Sequence, residues 1–426
     1  MKKIKAVVVG YGNRGGVYAD YSLDEKDQLE IVGIVDPNPF KLNLAKERYN
    51  LDDSQLFSNL DDFISKSIKA DIVINATMDE FHYQTGMAIL SAGYNMLIEK
   101  PIVNNKKELL DLADMAKKNN CLVFVCHVLR YTPFYRTIKQ LVLDNKIGQI
   151  MSMEMNEHVW IPHYLTSYDR GKWNSEKACG SSFLLAKCCH DMDLISWINN
   201  ASKPRKVASF GSRRQFVKEN KPKDATKYCY NCPHEKNCLY SAINHYYESD
   251  TMPFLVYDRL NKPLDKIAKE EKMEFLKKDI YGQCAYDCGG DIVDRQNLII
   301  EFENGSICDF TLIGGSSKAD RYIHIVGQWG EIEGKIEENV ITVRNYVGKC
   351  EYKEETIDLK NSIVNHAQFG GHSGGDYAIM HDLVSYLNGD RSSISITSIS
   401  DSINGHLIAF AADESRRENK IVYIEK

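Results

Sequence analysis

"VVVGYGNRGG", residues 7–16, is a β-branched apolar run that stops on a glycine, and its reading decides the fold of a chain of 426 residues. Gly10, Gly12 and Gly15 stand as G-x-G-x-x-G directly after the predicted strand. Glycines at that spacing permit a tight strand-to-helix turn, close approach of backbone to a pyrophosphate, and close helix packing. The N-terminus of the helix that follows favours negative charge. Alone the motif is a weak signal. It gains weight from "IVGIVDPN", where a second apolar run ends on Asp36 about 20 residues further on, the place from which an acid accepts hydrogen bonds from an adenosine ribose. An acid there repels a 2′-phosphate, so the pair predicts NAD(H) rather than NADP(H). Asn13 and Arg14 sit inside the turn and join Gly10, Gly12, Gly15 and Asp36 as expected cofactor contacts.

Outward from this turn, "IKAVVVG", "LEIVGIVD", "DIVINAT", "NMLIEK" and "LVFVCHVL" alternate with amphipathic stretches such as "NKKELLDLADMAKKNN". That alternation predicts βαβ units and a parallel sheet covered on both faces, a Rossmann domain over residues 1–130. After "PFYRTIKQLVLDNKIG" the style changes. "QIMSMEMNEHVW", "RQNLIIEFENGSICDFTLIGG", "YIHIVGQWGEIEGKI" and "NVITVRNYVG" read as antiparallel strands with Gly-containing turns, so residues 131–426 are expected to form an α+β domain with a large, open, mainly antiparallel sheet. A Lys-rich stretch with several cysteines, about 215–290, reads as an insertion whose "KPLDKIAKEEKMEFLKKD" is a charged helix.

Ligands of such parallel sheets bind outside the carboxyl ends of the strands. Two of those ends carry chemistry. "DIVINAT" closes on Thr77, and "NMLIEKPIV", residues 95–103, closes on Glu99, Lys100 and Pro101. Lys100 is expected to point into the crevice beside the nicotinamide, held by Glu99, with Pro101 fixing the turn.

Composition excludes several classes. The 53 basic and 59 acidic residues are interleaved, for a formal charge of −6, and leave no basic face for a nucleic acid. The N-terminal apolar run breaks at glycines too early for a secretion signal, and no apolar stretch approaches the roughly 20 residues that span a bilayer. With 12 cysteines and no such signal, a soluble cytoplasmic protein is expected. "YCYNCPHEKNC" and "GQCAYDCGG" supply Cys229, Cys232, Cys238 and Cys284, with Cys288 equally placed as a fourth ligand. That spacing suits a tetrahedral structural zinc stapling a loop without its own core; an iron–sulfur cluster or free thiols remain open. Cys188 and Cys189 read as packing residues.

Taken together, "GYGNRG", "DPN", "EKP", "HVLRYTPFYRTIKQLVLDNKIGQI" and "SINGHLIAFAADESRRENKIVYI" resemble the Gfo/Idh/MocA family of NAD(P)-dependent oxidoreductases. The resemblance implies hydride transfer between a carbinol carbon of a sugar or cyclic polyol and the nicotinamide, with the "EKP" lysine in the active site. It also implies a histidine on a helix of the second domain, with an aspartate four residues before it. "FLLAKCCHDMDLISWI" supplies His190, but Ala186 stands where that aspartate would be, and Lys187, one turn before His190, is a candidate to take over proton transfer. Asp191 and Asp193 read as packing partners. Expected substrate contacts are Arg130 and Tyr131, then His163, Arg170 and Trp173 in "PHYLTSYDRGKW", and His372 and Asp376 in "GGHSGGDY". The same parts could run a redox-neutral glycosidase cycle of transient oxidation and elimination, or serve a non-catalytic NAD sensor. An open sheet further implies a homodimer or homotetramer.

Overall fold

The computed structural model describes residues 2–362 and 372–425. Its first sheet contains β1 (Ile4–Val9), β2 (Leu29–Val35), β3 (Leu56–Phe57), β4 (Ile72–Asn75), β5 (Met96–Ile98) and β6 (Val123–Val125), ordered β3-β2-β1-β4-β5-β6. Every pairing in it is parallel. Helices cover both faces, which is why its strands are apolar runs rather than alternating ones; β4 and β5 are buried at every position. The strand order reverses between β1 and β4, and this opens a crevice at their carboxyl ends. There α1 (Asn13–Asp24) begins, immediately after the glycine turn.

A second sheet contains β7 (Ile150–Trp160), β8 (Pro204–Ser212), β9 (Arg295–Phe302), β10 (Ile307–Ser316), β11 (Tyr322–Gly327), β12 (Gly330–Lys335), β13 (Val340–Gly348), β14 (Glu351–Asp358) and β15 (Val422–Tyr423). Its order is β14-β13-β12-β11-β7-β10-β9-β8-β15, and of the described pairings within this sheet only that of β7 with β10 is parallel. Alternation is clear in β10, where Cys308, Phe310 and Leu312 face inward and Ile307 and Asp309 outward. The inward face shares one core with α2 (Phe183–Ile198), whose apolar residues are buried all round. Its other face is open. Both sheets have the architecture expected from the hydrophobic periodicities.

Two helices near the C-terminus return to the first sheet. Ile379, Met380, Leu383 and Val384 of α3 (Gly375–Leu387) pack with Ile4, Val8, Tyr18 and Tyr21. Ile399 and Leu407 of α4 (Ile399–Glu418) join Val7, Val73, Ile98 and Val125 on the opposite face. The strands thus divide near residue 130, but the cores interlock. The insertion corrects two expectations. Its helix is only Lys269–Leu276, starting after Pro263, and it has a core of its own, with Ile243, Tyr246, Val256, Tyr257, Leu276 and Tyr281 packed together.

Candidate active site

The glycine turn is built from sterics. Gly10 has φ +86°, and a Cβ there would lie 2.6 Å from the Ala76 carbonyl oxygen; one on Gly15 would lie 2.2 Å from that of Gly10. Gly12 differs: among the described residues a Cβ on it would meet nothing within 4 Å, which leaves room beside the start of α1. No side chain caps that helix, and its first N–H groups are available to an anion. Asn13 is exposed at its first position. Alongside, the buried Asp36 carboxylate accepts from the backbone N–H of Tyr11 and of Asn38, at 2.8 Å each. Thr77 donates to Asn75 at 2.9 Å on the far side of the switch point. These residues fit a dinucleotide.

Lys100 follows β5. Its Nζ donates to the Ala186 carbonyl oxygen of α2 at 2.8 Å, so the lysine spans from the first sheet to the second domain. Glu99 does not hold the ammonium, contrary to expectation. One carboxylate oxygen accepts the Lys100 backbone N–H at 2.8 Å; the other accepts Arg14 Nε at 2.8 Å and the Tyr18 hydroxyl at 2.6 Å. Arg14 continues to Asp376 at 2.6 Å and 3.2 Å. Its guanidinium therefore binds two carboxylates, which ties it to the protein rather than leaving it free as the expected cofactor contact. Burial would raise the pKa of Glu99, but Arg14 and Lys100 outweigh it and hold it below the usual value. Asp376 is held far down against its burial by His372, whose Nδ1 lies 3.1 Å away, and by Arg14.

His190 projects from α2 toward the same place. It is buried, its Nδ1 has no partner among the described residues, and the rings of His127 and His372 lie 5.8 Å from its own. Burial, then Lys100, His127 and His372, push its pKa well below that of a free imidazole. His163 is pushed down likewise by burial, Lys187 and Lys100. Lys187 does not face His190; its Nζ pairs with Glu157 on β7 at 3.2 Å, which corrects the expectation that it relays the His190 proton. Glu157 also pairs with Arg321, whose Nε donates to Asp191 at 2.9 Å. Burial lifts the Asp191 pKa to about 6, with Arg321 opposing.

Three expected substrate contacts lie elsewhere. Arg130 grips Asp193 through two bonds of 2.6 Å, Tyr131 meets Thr397 at 3.2 Å, and Arg170 donates to the carbonyls of Gln283 and Tyr240 at 2.8 Å and 2.6 Å. All three are buried with their donors engaged, so they tie segments together rather than line the cleft. Trp173 reaches Asp79 at 3.0 Å, on the loop after β4. Lys100, His190, His163, His372 and Asp376 do converge. His127, Tyr18, Glu157 and Arg321 join them without having been foreseen. Only His127 left a trace, as a histidine just past the carboxyl end of β6. The others meet through tertiary pairing.

The cysteines were expected to hold a structural zinc. Cys229, Cys232, Cys238 and Cys284 line one small cavity together with His234. Cys288 is absent from that lining, with its Sγ 3.1 Å from the Cys284 carbonyl oxygen. Among the described residues no three His, Cys, Asp or Glu side chains are disposed to hold a metal ion. The insertion's apolar core already gives that segment the packing a metal staple was expected to supply.

Comparison with known proteins agrees with the fold. The Gfo/Idh/MocA profile described as an oxidoreductase family with an NAD-binding Rossmann fold matches residues 4–127, and its C-terminal alpha/beta domain matches residues 139–425. A putative oxidoreductase of Bacillus subtilis, YteT, is 24% identical over 366 residues, 83% of this chain and 82% of that protein. The scyllo-inositol 2-dehydrogenase (NADP(+)) IolW of the same organism is 23% identical over 190 residues, 45% of this chain and 50% of that protein. Among solved structures, a levoglucosan dehydrogenase in complex with NADH superposes with a TM-score of 0.70 at 15% identity, over 100% of both chains.

Proposed function

The chain belongs to the Gfo/Idh/MocA family of oxidoreductases, and from that premise we propose that it transfers a hydride between a carbinol carbon of a sugar or cyclic polyol and the nicotinamide of NAD(H). The observation that carries this reading is the convergence of Lys100 and His190, from two domains, at the crevice beside the glycine turn. Bound NAD supplies the hydride acceptor. Gly12, the first N–H groups of α1, Asp36 and Thr77 hold it, and Asp36 favours it over its 2′-phosphorylated form.

The remaining chemistry belongs to side chains. Lys100, anchored on the Ala186 carbonyl, orients the substrate hydroxyl. His190 is kept neutral by its surroundings, and its unpartnered imidazole accepts the hydroxyl proton as the hydride departs from the same carbon, leaving a carbonyl. His163 and His372 give the ring its remaining polar contacts. Two relatives are named for scyllo-inositol and levoglucosan, which supports a polyol or sugar as the substrate class.

Three coarser readings accompany this one. Among the described residues no helix is long and apolar enough to cross a membrane. Twelve free thiols fit a reducing cytoplasm. The open face of the second sheet, with Phe210, Ile299, Ile307 and Tyr346 exposed, fits pairing with another copy of the chain.

The test is a panel of inositols, sugars, sugar acids and glycosides offered with excess NAD. NADH is expected to accumulate one for one with an oxidised product. Cleavage of a glycoside without NADH accumulation would replace this reading with a redox-neutral elimination cycle, and turnover of nothing in the panel would remove it.

A further inference from the structure

The insertion belongs to the second domain, yet it touches the first where an adenosine would lie. Asp36 accepts the N–H of Asn38, and Asn38 caps the helix Pro39–Tyr49 by accepting the N–H of Phe40 at 3.0 Å. The amide nitrogen of Asn38 in turn donates to Oδ1 of Asn261 at 2.7 Å. One helical turn on, Lys41 pairs with Asp258 at 3.1 Å. Asp258 and Asn261 form one tight turn of the insertion, with Asn261 at φ +50°. On the other side of the crevice, Lys172 meets Met78 at 3.0 Å and Trp173 meets Asp79, so the second domain grips both loops that flank the dinucleotide.

Lys41 is the cation nearest in sequence after Asp36, on the helix that the ribose loop feeds. Left unpaired, it would offer its charge to a 2′-phosphate; paired, it is neutralised, and a second carboxylate stands near the ribose. We propose that the turn Asp258–Asn261 completes the adenosine end of the cofactor site, with two effects. Asp258 adds to the discrimination against NADP(H), and Asn261 steadies the loop that carries Asp36, so that NADH leaves slowly. The inference rests on the reading of this crevice as an NAD site and names residues of a different domain as part of it.

The Lys41–Asp258 pair is partly exposed, with side chains 19% and 55% accessible, so its effect is modest. Measured on the full chain, Asp258→Asn is expected to narrow the ratio of NADPH to NADH dissociation constants by about two- to fivefold, the scale of one surface ion pair. In the Lys41→Met background the same substitution should change that ratio less, because the partner charge is gone. Asn261→Ala is expected to raise the NADH dissociation rate severalfold in stopped-flow displacement, with little change in association rate. A merely structural contact would lower the melting temperature and leave both the ratio and the release rate unchanged, and that result overturns the proposal. Failure of the unsubstituted chain to bind either dinucleotide would instead overturn the reading of the crevice.

Discussion

Lys100 is held at one point, the Ala186 carbonyl, and among the described residues no carboxylate pairs with its ammonium. Removing it leaves the buried Glu99–Arg14–Asp376 chain intact. Lys100→Ala is therefore expected to fold and to bind NAD within a fewfold of the parent while turnover drops by about 10² or more, the scale of losing a group that positions the reacting hydroxyl. Turnover within a few-fold of the parent would dismiss it from the chemistry. His190 gives a pH signature. Its folded pKa lies well below that of a free imidazole, so it stays neutral through the range where histidine ordinarily titrates. The kcat/KM profile should show no acid limb near 6.5 assignable to it, and an acid limb there that vanishes in His190→Ala would contradict its placement. Lys100 was singled out from a strand end, which is a local pattern, and His190 from the family resemblance. Arg130, Tyr131 and Arg170 misled for the converse reason: a polar side chain in a plausible stretch does not reveal that a distant carboxylate or carbonyl has already claimed it. Arg130 and Asp193 lie on separate elements and meet only in the folded core.

Arg14 ties three elements: its own helix α1, the Glu99 that ends β5, and the Asp376 that opens α3. Replacing it strands two buried carboxylates. Arg14→Met is expected to cost about 3 kcal/mol, in the range for breaking a buried ion pair from one side, with Arg14→Lys recovering part of it because a single ammonium cannot match the fork. The pH dependence has a definite sign. Glu99 and Asp376 both have lowered pKa values in the folded protein, so their contribution is present above the ordinary carboxylate range, about 4, and fades as pH falls through the lowered values. The deficit of Arg14→Met should be widest near neutrality and close below about pH 4. Urea unfolding midpoints at several pH values measure it, and a deficit independent of pH would mean that packing, not charge, makes the link.

The second sheet exposes a broad outward face. Phe210 is 73% accessible and Ile299 is 55%, on the adjacent strands β8 and β9. If copies pair there, light scattering should give a dimer or larger, and Ile299→Arg should lower the mass without altering the circular dichroism; a monomeric parent would end the idea. At this scale the sequence was informative, since the period-2 runs of β7, β9, β10, β11, β12 and β13 mark themselves. β14 escaped because "EYKEETID" is an edge strand exposed nearly throughout, and no buried face imposes alternation on it. β8 escaped because Pro204 and small residues dilute its pattern.

The return of α3 and α4 to the first sheet has a consequence for biosynthesis. A ribosome delivers the glycine turn and Asp36 early, but Ile379, Met380, Leu383 and Val384, which seal one face of that sheet, and Leu407, which helps seal the other, are translated near the end. The core of the N-terminal half is therefore completed only after the last helices are made, unlike N-terminal domains that fold as units during synthesis. Part of each apolar face stays uncovered until the rest of the chain has emerged, even though helices of the first half already cover the remainder.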